Sequence, residues 1–134
     1  MASFSIEITT KAVPETVWDA IKDIGALHTR LVPGFVVHTA VEQGARVVTF
    51  GNGTQVREPI IDLDETKRRL VWSAEAAGIT HYNASVQVFA ADEGSRIVWI
   101  ADFLPNEMRD QISSMMREGI SVMKATMDRA AERL

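Results

Sequence analysis

The chain has 134 residues, a formal net charge of −4, no cysteine and a hydrophobic fraction of 46%. That length suits one domain, here 1–134, with a core large enough to need no disulfide or metal. Without cysteine there is no thiolate zinc site and no cysteine nucleophile, and the mildly acidic balance argues against a nucleic-acid partner.

Residues 3–10 alternate, with Phe4, Ile6 and Ile8 on one side and Ser5, Glu7 and Thr9 on the other. Period two with one apolar face predicts a half-buried strand. Pro14 and Glu15 suit the first turn of a helix. Val17, Trp18, Ile21 and Ile24 follow at helical spacing, Gly25 is expected to end that helix, and a second short helix is expected over 26–31. Pro33-Gly34 breaks the chain.

Strand-like runs then cover 35–41, 46–51, 54–63, 69–76, 80–90 and 95–103, separated by short turn signals. Asn52-Gly53 is the sharpest of these, because both residues tolerate positive φ. Six closely spaced strands imply an antiparallel meander of hairpins. From Pro105-Asn106 a long helix is expected to run to the C-terminus. Its stripe is Met108, Ile112, Met115, Met116, Ile120, Met123 and Met127. At about 1.5 Å per residue it is roughly 40 Å long and can cover a whole sheet. An α+β architecture follows, in the order β-α-α-β-β-β-β-β-β-α, with a seven-stranded antiparallel sheet packed on the last helix. No apolar run approaches the ~18 residues of a membrane span, and the N-terminus lacks the regions of a signal peptide, so a cytoplasmic protein is expected.

Several segments carry a family likeness. Val56 to Asp64 forms a strand with a Glu near its start and an Asp-rich close. Arg68-Arg69-Leu70-Val71-Trp72-Ser73 follows it. His81-Tyr82-Asn83-Ala84-Ser85-Val86 places an aromatic before a polar residue and Ser-Val. Gly94-Ser95-Arg96-Ile97-Val98-Trp99 makes a glycine turn into the last strand. In their order and spacing these resemble the START/Bet v 1-like (SRPBCC) superfamily and its polyketide cyclase/dehydrase branch. The resemblance implies a helix-grip fold with a cavity between sheet and terminal helix. Its members include lipid carriers, hormone receptors and aromatase/cyclases, so fold does not dictate activity. Two features depart from the relatives. The glycine-rich loop of plant pathogenesis-related members is reduced to Glu42-Gln43-Gly44. The gate and latch loops of the abscisic acid receptors are absent, so neither their hormone nor their phosphatase partner is carried over.

Glu58 shares a face with Val56 and Ile60. If it points outward it is an ordinary surface charge. If inward, as the resemblance implies, it needs a partner or a raised pKa. Pro59 removes a ladder donor beside it, so a bulge here could reverse the facing. Tyr82, the one tyrosine, lies with Ala84, Val86 and Val88, and its hydroxyl meets a ligand, Glu58 or a backbone carbonyl. Trp72 and Trp99 each alternate with apolar residues, as do Phe50 and Val48. All three aromatics are either core or cavity wall. The methionine stripe, Met116, Ile120 and Met123 at its centre, is likewise either packing or the adaptable roof of a cavity. Gly119 interrupts it and marks a bend or a close approach of another element. His28, His38 and His81 have no helical metal-site spacing, and no metal or cofactor is expected. There is no G-x-S-x-G.

Three functions remain open. The first is binding of a small hydrophobic ligand of lipid, polyketide or aromatic type, lined by Phe50, Glu58, Trp72, Tyr82, Trp99, Met116, Ile120 and Met123. The second is a cyclase/dehydrase-type enzyme using Glu58 and Tyr82 as acid and base. The third is an interaction domain with a filled core. Either a monomer or a homodimer is compatible with the sequence.

Overall fold

The computed structural model describes residues 1–133. Strand β1 (Ala2–Thr10) alternates in burial as its sequence alternates in polarity. Helix α1 (Pro14–Lys22) has proline in its first turn and buries Val17, Trp18, Ala20 and Ile21. It stops at Lys22 rather than Gly25, because Asp23 leaves helical geometry at ψ 76°. A 3-10 turn (Ile24–Ala26) and one π-type turn (Leu27–Leu31) stand where a second α-helix was expected. Gly25 serves a different purpose there. A Cβ at that position would lie 2.7 Å from Val41 Cγ2, so glycine lets the turn lie against the sheet.

Six strands follow: β2 (Val36–Glu42), β3 (Ala45–Phe50), β4 (Gln55–Asp64), β5 (Arg69–Ser73), β6 (His81–Ala91) and β7 (Gly94–Leu104). The run predicted over 69–76 ends at Ser73 as β5. Asn52-Gly53 closes the β3–β4 hairpin as its residue types require, with Gly53 at φ +89° and the Asn52 side chain accepting from Thr54 N. With β1 beside β7, the strands form one seven-stranded antiparallel sheet in the order β1-β7-β6-β5-β4-β3-β2.

The sheet bends at β4. Its first half, 55–59, pairs with β3 and its second half, 60–64, with β5. The register shift falls between Ile60 and Asp62, leaving Ile61 as the extra residue. The irregularity that Pro59 suggested therefore lies beyond Glu58 and does not reverse that residue's facing. A bulge bends a strand and increases its local twist, which helps the sheet curve.

Helix α2 (Arg109–Glu132) follows a 3-10 turn, Asn106–Met108. Its expected extension to the last residue ends on Leu134, outside the described residues. It runs alongside β1 and is tied to it at both ends. Arg109 donates to Ser3 O (3.1 Å), and Lys124 donates to Thr9 O (2.6 Å). Asp128 accepts from Thr10 Oγ1 (2.7 Å) and Lys11 N (3.0 Å). The stripe Ile112, Met116, Ile120, Met123 and Met127 is buried. This is the α+β helix-grip arrangement, a curved sheet wrapped on one long helix. No helix among the described residues is long and apolar enough to cross a membrane.

Candidate functional site

The interior is not packed throughout. The concave face of the sheet from β2 to β7, the 27–35 segment and one edge of α2 line a space of about 60 Å³. A single water needs roughly 10–15 Å³, so the space is real but small. Its wall is apolar except at one place.

That place is a pair of opposed charges. Arg46 on β3 and Glu58 on β4 are cross-strand partners. Both point inward, at 3% and 7% exposure. Arg46 Nε donates to Glu58 Oε1 at 2.8 Å, and Arg46 Nη1 reaches Ile24 O at 3.4 Å. The guanidinium also lies 5.5 Å from the centre of the Trp72 ring, within cation–π range. Burial pushes the Glu58 carboxyl above its usual value. The Arg46 charge and hydrogen bond oppose this, as does the nearby Trp72 indole. Pairing offsets part of the cost of burying each charge.

Tyr82 is buried on the same wall and hydrogen-bonds to no protein group among the described residues. Burial and then the Glu58 charge raise its phenol well above the usual value, so it remains a protonated donor. Trp72 and Trp99 line the space with ring centres 6.4 Å apart. The Trp99 indole N–H is buried without a partner among the described residues. Phe50 also lines it and meets Phe35 edge-to-face at 5.4 Å.

The roof differs from the expected one. Met123 lines the cavity, but Met116 and Ile120 do not. They are 0% and 2% exposed and sit in the packed core. Met115, half-buried, takes the place on the wall. The reason is rotational. Met115, Gly119 and Met123 lie four residues apart on one edge of α2, whereas Met116 and Ile120 sit one position further round. Gly119 marks a close approach. A Cβ there would be 2.9 Å from Phe35 Cε2 and 3.0 Å from Trp99 Cζ3.

The structure thus brings Phe50, Glu58, Trp72, Tyr82, Trp99 and Met123 to one cavity. Sequence reasoning missed Arg46 and Phe35, and it placed Met115 in the stripe without naming it among the lining residues. Arg46 had a signal: it shares the period-two face of Val48 and Phe50. The histidines stand apart. His28 Nδ1 is 3.1 Å from Thr39 Oγ1, its ring lies 5.7 Å from that of His38, and His81 is exposed. No cluster of three or more His, Cys, Asp or Glu among the described residues could hold a metal ion.

The sequence model of the family described as polyketide cyclase/dehydrase and lipid transport matches residues 1–134. The chain belongs to that family. A comparison with curated proteins returns no match. Solved structures agree on the fold. A Bacillus thuringiensis protein superposes with TM-score 0.84 at 17% identity, covering 94% of this chain and 98% of its own. A Thermobifida fusca protein gives 0.80 at 25% identity, covering 100% and 95%. The Zhui aromatase/cyclase from Streptomyces sp. R1128 gives 0.74 at 18% identity, covering 98% and 94%. Family membership is compatible with either ligand carriage or cyclase chemistry.

Proposed function

We propose that this protein binds a small, largely apolar ligand in the cavity between the curved sheet and α2. The observation that carries this reading is an apolar, aromatic-walled space with polar groups gathered at one place. Such a space gains about 25 cal/mol per Å² of apolar ligand surface buried, and the polar groups set the ligand's orientation. A pure interaction domain would have no use for an unfilled interior beside a buried ion pair.

Binding without turnover is favoured over acid–base catalysis by Arg46. A general acid or base must exchange its proton with the substrate near the working pH. Glu58 is instead held in a 2.8 Å ion pair, and the Tyr82 phenol is shifted far from deprotonation. Both groups are better suited to holding a polar substituent than to moving its protons. Family membership keeps a cyclase/dehydrase reaction as the second reading, with Glu58 and Tyr82 as its acid and base.

Native mass spectrometry of protein purified from its own host tests the proposal. A co-purified small molecule that is lost in Met115→Trp is expected. A clean apo mass, together with unchanged tryptophan fluorescence across a lipid and aromatic panel, would overturn it. Steady conversion of a bound polyketone that Glu58→Gln abolishes would favour the enzyme.

A further inference from the structure

We propose that the cavity selects an uncharged, hydroxyl-bearing ligand and rejects the corresponding carboxylate. This rests on the ligand-binding reading above and adds the chemistry of the polar end.

The first reason is charge. Arg46 and Glu58 are the charged side chains on the cavity wall, and they neutralise one another at 2.8 Å. Arg46 is further occupied by Ile24 O and the Trp72 ring. An incoming anion would find no free cation. It would leave the cavity with a net negative charge in apolar surroundings, where an unpaired charge is costly. A neutral molecule leaves the ion pair undisturbed.

The second reason is hydrogen bonding. The wall offers both roles at once. Tyr82 presents a phenolic donor with no protein partner among the described residues. Glu58 accepts a strong hydrogen bond from Arg46, with the Trp72 indole also close by, and a carboxylate has capacity for about four. A hydroxyl both donates and accepts, so it can satisfy Tyr82 and Glu58 together. A carboxylate only accepts, so it can use the Tyr82 donor but offers Glu58 none. A hydrocarbon satisfies neither, leaving buried polar groups unpaired.

Titration calorimetry near neutral pH with naphthol, naphthoate and naphthalene tests this, since the three share one apolar body. Naphthol is expected to bind at least about tenfold more tightly than either of the others, as a hydrogen bond to a charged group warrants. Tyr82→Phe should remove most of that advantage. Glu58→Gln should release Arg46 from its counter-ion and reverse the preference toward naphthoate. Naphthoate binding as tightly as naphthol to the wild type would overturn the proposal while leaving the ligand-binding reading intact. An unchanged naphthol affinity in Tyr82→Phe would also overturn it, whether or not Glu58→Gln folds. Failure of all three probes to bind would remove the ligand-binding reading itself, and this inference with it.

Discussion

The two ends of the interior were built from similar residues and came out differently. Toward β1 the interior beneath α2 is packed, with Met116, Ile97 and Phe103 fully buried. Toward β3 and β4 it holds a cavity with a buried ion pair, closed on its other side by Trp72 of β5, Tyr82 of β6 and Trp99 of β7. One methionine marks each side of the boundary. Met116 belongs to the packed end and its neighbour Met115 to the hollow one. Hydrophobicity is the same in both, so it is not what separates core from pocket. The separation follows where the helix lies: α2 packs along β1, tied to it by hydrogen bonds at both ends, and not along β3 or β4.

The largest test of this contrast breaks the ion pair. Glu58→Gln leaves Arg46 buried and unpaired, and is expected to cost about 3–5 kcal/mol by urea unfolding. Replacing both residues by methionine should leave stability within about 1 kcal/mol of wild type, or raise it, because two desolvation costs disappear together. If the double variant is as unstable as the single one, the pair is a structural keystone rather than a polar feature of the pocket.

The methionines give the next test. Met116→Ala opens a void in the packed end and should cost about 2–5 kcal/mol. Met115→Ala, at the cavity edge, should stay below about 1 kcal/mol. The reverse substitutions sharpen the same boundary. Met116→Trp overpacks the core by about 1–3 kcal/mol, while Met115→Trp should fill the cavity, stop ligand uptake and leave the Tm nearly unchanged. Equal effects at both positions would erase the distinction between the two ends.

The smallest effect lies at the tether of the packed end. Partial burial pushes the Asp128 carboxyl up, but hydrogen bonds from Thr10, Lys11 and Lys124 outweigh it and hold the group below its usual value. A depressed carboxyl contributes stability above its unfolded pKa, and that contribution fades as pH falls through the folded value. Asp128→Asn should therefore cost about 1 kcal/mol near neutral pH. The difference from wild type should shrink on acidification, as followed by thermal melts from neutral pH downward. A difference that grows on acidification would reverse the assignment.

Most of the architecture was legible in the chain. Period two in β1, the spacing of the turns, Asn52-Gly53 and the stripe of α2 are local signals, and the backbone reads them locally. The 24–31 segment was not legible, because π-type and 3-10 turns share their residue types with a short α-helix. There Gly25 lies so close to Val41 that a Cβ would meet it at 2.7 Å, a contact the sequence does not announce. The facing of Glu58 was undecided in the sequence, since Pro59 could have moved the bulge either way. Tertiary pairing put the bulge at Ile61 and placed Arg46 across from the carboxylate.

By itself, then, the sequence determined the strands, the terminal helix and the apolar side of each. Those follow from backbone geometry acting over a few residues. Only the tertiary structure decided which apolar residues touch one another and which line empty space. That depends on the curvature of the sheet and the rotation of α2, quantities summed over the whole fold. The five methionines of α2 and the turn before it look equivalent along the chain. One step around the helix makes Met116 core and Met115 the wall of a pocket.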